Sequence, residues 1–211
     1  EQLPMLIGQG LCAAVYTQTT DVEIEVNGWL TYDRKVWKID PDKARQATLK
    51  VYEEPPHVRS IVANAASGEP GAWRYTTDAP EPDSNARPWS DPAYDDGSWR
   101  QGKAGFGTRG TPGSRIGTEW NSGEIWIRRA FELDKKPKGR VMLAIHHDED
   151  ADVYFNGTKV ASLSGYTTDY RMIALEAAHI DALRAGTNTI AIHCRQTRGG
   201  QYIDCGIVIV E

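Results

Sequence analysis

Apolar and polar residues keep two different rhythms along this chain, and the change between them falls near residue 55. From Ile125 onward, short segments with alternate apolar positions are separated by turn residues, the pattern of an antiparallel all-β domain with one face of each strand buried. The segments 125–133, 140–147, 151–156, 158–163, 170–175, 188–196 and 202–210 read as strands, and 72–77 reads as an earlier one. Asn156-Gly157 between two of them predicts a tight hairpin, because both residues adopt positive φ at little steric cost. The one helix-like insertion, 177–185, is closed by Gly186.

The first 54 residues read differently. Leu11 to Thr17 is a short apolar run that predicts a buried strand. Asp40-Pro41 opens a helix, with Asp as N-cap and Pro at the first helical position. Ala44, Ala47, Thr48 and Val51 then recur at helical spacing, which predicts one buried face over 41–52. A strand, a loop and a helix cannot bury their own apolar surfaces, so residues 1–54 are expected to be one piece of a larger α/β architecture. Glu54-Pro55-Pro56 stops the helix, since proline lacks an amide donor and restricts the residue before it. Residues 55–71 are expected to be a linker, and 72–211 a β-sandwich.

The last two strands carry a sharper expectation. With Gly199-Gly200 as a two-residue turn, Ile190 would face Ile209, Ile192 would face Ile207, and Cys194 would face Cys205. Arg195 would then oppose Asp204, a cross-strand pair worth roughly 0.2 to 1 kcal/mol. A disulfide or two buried free thiols are both compatible with that register. A chain that switches sheets at this corner would abolish it.

Composition narrows the function classes. The formal net charge of −5 supplies no basic field for phosphates, so nucleic acid is not expected as a partner. No run approaches the roughly 18 to 20 apolar residues that span a bilayer, so no membrane span is expected. Cys12, Cys194 and Cys205 are too few and too scattered for a zinc cluster or a disulfide scaffold. Seven Trp and nine Tyr against three Phe favour rings with a polar edge, suited to half-wet surfaces as well as to a core.

Two segments resemble glycoside hydrolase family two, the β-galactosidase and β-glucuronidase group. "AAVYTQTTDVEIEVNGWLTYDR" (13–34) resembles the closing part of its catalytic (β/α) barrel. "DPAYDDGSW" (91–99), "GFGT" (105–108), "IWIRRAFEL" (125–133), "DADVYFNGTKVA" (150–161) and "GTNTIAIHC" (186–194) together resemble its galactose-binding-like jelly roll. The resemblance implies a mainly β fold, a jelly-roll sandwich behind an N-terminal α/β remnant. It further implies a non-catalytic C-terminal region of a retaining glycoside hydrolase that is periplasmic or secreted, with the rest of that polypeptide and a galactoside or other glycan as partners. Retaining hydrolysis needs two carboxylates about 5 to 5.5 Å apart, which in the family come from earlier barrel strands that are not in this chain. Glu23 and Glu25 are therefore not expected to be catalytic. An autonomous lectin-like module and a complete glycosidase are the alternatives.

Sugar binding calls for a ring against the apolar face of a pyranose and polar groups for its hydroxyls. Trp120, Trp126, Tyr166, Tyr170 and Tyr202 are the rings near turns, with Arg171, Gln196, Gln201 and Asp204 as polar partners; the same residues also suit purely structural roles. No cofactor is expected beyond a structural calcium ion, for which Asp91, Asp95, Asp96, Asp148 and Asp150 supply candidate carboxylates, or else serve turns and caps. His146 and His147 point to opposite faces of a strand and do not make a zinc site. Asn156-Gly157-Thr158 matches a glycosylation acceptor, but the hairpin turn accounts for it.

Overall fold

Burial behaves in opposite ways on the two sides of Val58. The computed structural model describes residues 2–8, 10–67 and 69–211, and they divide into two compact units, Glu1–Val58 and Arg59–Glu211.

The first unit holds α1 (Gln2–Gly8) and α2 (Pro41–Leu49), the latter extended by a 3₁₀ turn, Lys50–Tyr52. The Asp40 cap forms as expected: its side chain accepts the amides of Asp42 and Lys43, and Pro41 occupies the first turn. Two other expectations fail here. Residues 11–17 are not a strand, because no described segment offers them a ladder, and Val15 and Tyr16 lie open. No residue of α2 is buried either, so its apolar face has no cover within the unit. Between the helices, residues 19–38 fold into a tight loop held by the Asp21 carboxylate, which accepts the Gly28 amide at 2.9 Å and the Lys38 ammonium at 2.6 Å. Gly28 is required there, since a Cβ would lie 2.3 Å from the Asp21 nitrogen.

The second unit is a β-sandwich. Its strands are β1 (Val58–Val62), β2 (Ala72–Thr76), β3 (Arg100–Lys103), β4 (Phe106–Gly107), β5 (Thr118–Glu119), β6 (Glu124–Leu133), β7 (Arg140–Asp148), β8 (Asp150–Phe155), β9 (Thr158–Leu163), β10 (Arg171–Ala174), β11 (Gly186–Arg195) and β12 (Tyr202–Val210). One short helix, α3 (Ala177–Ile180), precedes β11. One sheet runs β10-β7-β12-β4-β5, with β1 also on β12; the other runs β3-β2-β6-β11-β8-β9. Period-two burial makes the core. Val141, Leu143 and Ile145 of β7 and Ile203, Ile207 and Ile209 of β12 meet Ile125, Ile127, Ile190, Ile192 and Val153 of the opposing sheet. The expected linker is shorter than its residue span, because β1 already belongs to the sandwich.

The Asn156-Gly157 hairpin forms, with φ of 47° and 86°, and Phe155 faces Thr158. The Asn156 side chain does more than turn: it donates to Ala182 O and Asn188 Oδ1, both at 2.8 Å, and accepts the Thr189 amide. The β11–β12 hairpin does not form. Ile192 pairs with Ile127 and Val153, while Ile207 pairs with Leu143. Residues 196–201 carry the chain from one sheet to the other, so Cys194 and Cys205 are free thiols on facing sheets. Arg195 stands between Glu124 and Asp150, and Asp204 pairs with His146. Among the described residues no helix is long and apolar enough to cross a membrane.

Candidate functional site

Four connections meet at the end of the sandwich where β7 turns into β8. They are that turn, the 164–170 loop, the 196–201 crossover and the loop around Pro112. The 164–170 loop is pinned to the strand end because the Thr167 amide donates to His147 O at 2.8 Å and the His147 amide to Thr167 Oγ1 at 3.2 Å. Gly165, at φ 74°, donates its amide to Asp150 Oδ1 at 2.9 Å. The crossover is held by Gln201, whose amide donates to Thr111 Oγ1 at 3.0 Å and whose side chain donates to Ser122 O at 2.6 Å.

Together these connections enclose an open pocket of about 380 Å³ lined by Asp148, Glu149, Tyr166, Thr167, Thr168 and Arg198, with Pro112, Gly199 and Gly200 completing the wall. Gly200 is a packing requirement, since a Cβ there would lie 2.4 Å from Asp148 Oδ2. Asp148 is only 7% exposed, and its carboxylate has no hydrogen bond or ion pair from the described residues. Burial, reinforced by the neighbouring Glu149 charge, pushes the Asp148 carboxyl above the usual aspartate value. Glu149 is tied in place by the Thr197 hydroxyl. Tyr166 is 69% exposed, and it is the one large apolar side chain so exposed among the described residues of the sandwich.

Behind the pocket, the outer face of the same sheet carries a closed polar cluster. Asp204, 1% exposed, accepts the amides of Ala65 at 2.6 Å and Cys205 at 2.9 Å, and the Tyr170 hydroxyl. The Tyr202 hydroxyl sits 3.2 Å from that of Tyr170 and bonds both the amide and the carbonyl of Arg115. Burial raises the Asp204 carboxyl against the pull of those donors, and the Tyr202 phenol is pushed up to about 12. The His146 ring lies against both tyrosines, with centroids at 5.6 and 4.6 Å. Its burial lowers its basicity. This cluster fastens loops to the sheet, and its one unpartnered ring nitrogen, His146 Nδ1, is buried.

The remaining candidates are scattered. Trp120 is in the core, its indole donating to Ser122 Oγ at 2.9 Å. Trp126 stacks on His193 at 4.5 Å on the other sheet. Arg171 is exposed on β10, and Gln196 braces the crossover by donating to Gly200 O at 2.5 Å. Only Tyr166 of the nine sugar candidates lines the pocket. Of the five calcium candidates, Asp148 lines it, while Asp150 holds the Gly165 amide. Asp91 and Asp95 accept amides two residues ahead, from Ala93 and Gly97. Asp96 pairs with Arg128 at 2.9 Å. Among the described residues, no three His, Cys, Asp or Glu side chains gather as a metal-binding group. Thr167, Thr168 and Arg198 join the pocket without having stood out in the sequence, and no local pattern marks them, while Glu149 joins it from the acidic run Asp148-Glu149-Asp150.

A larger groove of about 510 Å³ runs beside Tyr75 and Trp99. Its arginine is already committed, lying 4.7 Å from the Tyr75 ring and donating to Thr77 Oγ1 at 3.1 Å. Both rings are buried, so the groove presents no open aromatic face.

The fold is that of a two-sheet β-sandwich module. No family model and no curated protein matches the sequence. Among solved structures, a glycosyl hydrolase family 2 member from Bacteroides cellulosilyticus DSM 14838 is similar at 20% identity and a TM-score of 0.48, over 72% of this chain and 20% of that one. A β-glucuronidase from glycoside hydrolase family 2 is similar at 19% identity and a TM-score of 0.46, over 68% and 14%. A β-glucuronidase from an uncultured Clostridium sp. is similar at 11% identity and a TM-score of 0.45, over 75% and 29%. The chain therefore spans less than a third of the length of each, and at this distance the likeness says nothing of activity.

Proposed function

We propose that this chain is a non-catalytic region of a larger glycoside hydrolase, with the sandwich as scaffold or accessory carbohydrate-binding domain and residues 1–54 as a piece of an α/β barrel. The observation that carries the first half of this reading is that Met5 is the one buried apolar side chain among the described residues of the first unit. Every large apolar side chain found exposed, apart from Tyr166, belongs to residues 3–52, with Ile24 at 93%. Monomeric proteins seldom leave so much apolar surface in one region uncovered. Further polypeptide covering that surface accounts for it, and the barrel-like segment 13–34 gives that polypeptide its class.

A catalytic role for the chain itself finds no support in the placement of Glu23 and Glu25. Val22 and Glu25 exchange both backbone hydrogen bonds across a two-residue turn, Glu23 has a φ of 53°, and both side chains are exposed. The test is hydrolysis of nitrophenyl glycosides by the purified chain. Silence is expected. Turnover abolished by Glu23→Gln or Glu25→Gln would overturn the reading.

The lectin-like alternative is favoured by one specific feature, the pocket in which Asp148 lies unpaired beside the open Tyr166 ring.

A further inference from the structure

We propose that the pocket at the β7–β8 end of the sandwich binds a neutral pyranose, with the Asp148 carboxylate accepting two adjacent sugar hydroxyls and the Tyr166 ring lying on the sugar's apolar face. This deepens the accessory-domain reading above and rests on it for the class of ligand, while the pocket itself stands on the geometry.

The central observation is a buried carboxylate with vacant acceptor sites facing an open pocket. An ionised carboxylate accepts through about four lone-pair sites, and the described residues fill none of those of Asp148. Three hydroxyls around it are committed elsewhere, that of Thr167 to His147, that of Thr197 to Glu149 and that of Thr111 to Gln201. Thr168 and Arg198 share the pocket without bonding the carboxylate, so its acceptor sites face water or a ligand.

Three ligand chemistries satisfy a carboxylate: a metal ion, an organic cation and a set of hydroxyls. A calcium ion takes six to eight oxygens, whereas among the described residues no group of three His, Cys, Asp or Glu side chains gathers around Asp148. An organic cation would share the pocket with the Arg198 guanidinium, a like charge. A vicinal diol fits, because its two hydroxyl hydrogens match the two carboxylate oxygens, and the Thr168 and Arg198 side chains remain to meet further hydroxyls. The Tyr166 ring supplies the flat apolar contact that the C–H face of a pyranose requires. The volume of about 380 Å³ lies at the lower end of the range of about 300 to 1,000 Å³ found for small-molecule sites, which suits one sugar ring and not a long oligomer.

The charge of the wall selects among sugars. Asp148 and Glu149 outnumber Arg198, so a uronic acid would bring a third carboxylate against two. Neutral hexoses are favoured over their uronate counterparts.

The experiment is a titration of the full 211-residue chain with the methyl pyranosides of galactose, glucose and mannose, and with galacturonate and glucuronate, followed by amide chemical shifts and calorimetry. At least one neutral pyranoside is expected to saturate with a Kd of about 1 mM or tighter, with shifts confined to residues around 112, 148, 166–168 and 198–200. The matching uronate is expected to bind at least about tenfold more weakly, and Asp148→Asn and Tyr166→Ala each to weaken the neutral sugar by about tenfold. Tyr166 is exposed, so its variant keeps the fold and remains informative if the Asp148 variant does not. The inference is overturned by no saturable binding of any neutral pyranoside, by unchanged affinity in both variants, or by saturable calcium binding abolished by Asp148→Asn without any sugar response. Failure here leaves the hydrolase reading intact if a longer polypeptide containing this chain cleaves glycosides. Sugar binding by the chain, without any glycosidase activity in that longer polypeptide, would sink the hydrolase reading and keep the site.

Discussion

Cys194 and Cys205 are both fully buried, yet they belong to opposite sheets, Cys194 facing Ile125 and Ala151 along its ladders and Cys205 facing Ile145. The ten residues between them include the crossover that sets the sandwich topology. Burial raises both thiols well above their ordinary range, so neither is a thiolate at neutral pH. Both are expected to resist a thiol reagent in the native chain and to react fully in denaturant, while Cys12, which is exposed, reacts at once. A non-reducing mass measurement showing a Cys194–Cys205 disulfide would contradict the topology.

Arg128 anchors the 88–97 loop to the second sheet. It is 3% exposed, pairs with Asp96 at 2.9 Å, donates to the carbonyls of Trp89 and Asp91, and lies 5.2 Å from the Tyr94 ring. Arg128→Ala leaves those carbonyls without their buried donor and is expected to destabilise the sandwich by about 3 kcal/mol. Urea unfolding reads the loss, and limited proteolysis should show the 88–97 loop cut first. A change below about 0.5 kcal/mol, the range of ordinary surface substitutions, would show that the loop is held by something else.

The pocket implies a trade between stability and binding. Because the folded Asp148 carboxyl is raised, the folded chain binds its proton at a pH where the unfolded chain has already lost it. The ionised group therefore destabilises the fold at neutral pH, and that penalty disappears as pH falls through the raised value. Asp148→Asn is expected to stabilise the chain at pH 7, with the difference from wild type shrinking on acidification. Comparing the two proteins at each pH cancels His146, which is held less basic in the fold and opposes the trend. A difference that grows on acidification would contradict the assignment.

The two units make a separate prediction. Residues 59–211 contain all but one of the buried apolar side chains, the exception being Met5. A chain of residues 57–211 is expected to unfold in one cooperative transition with nearly the midpoint of the full chain. Loss of cooperativity would show that the sandwich depends on the preceding residues.

What was legible in the sequence follows the physics of one face at a time. Strands β6, β7 and β12 announce themselves because each carries an apolar run buried on one or both faces, and Asn156-Gly157 fixes its hairpin through positive φ alone. β3, β4 and β5 carry no such signal, since two to four residues cannot show a period and "RQGK" is polar. Alternation also says that Ile192 and Ile207 are buried without saying under which sheet, which is why a Gly-Gly turn and a sheet crossover read alike. The pocket had the same difficulty. Asp148 and Tyr166 could each be named, one as a metal ligand and the other as a sugar-facing ring. That they share one cavity with Arg198 is a property of four loops brought together by the fold.

The most direct test of the proposed function is the rate of nitrophenyl glycoside hydrolysis by the polypeptide that the reading frame around these residues encodes, measured beside the purified 211 residues. Turnover by that polypeptide with none from the purified chain is the predicted result. Equal specific activity in the two would contradict it.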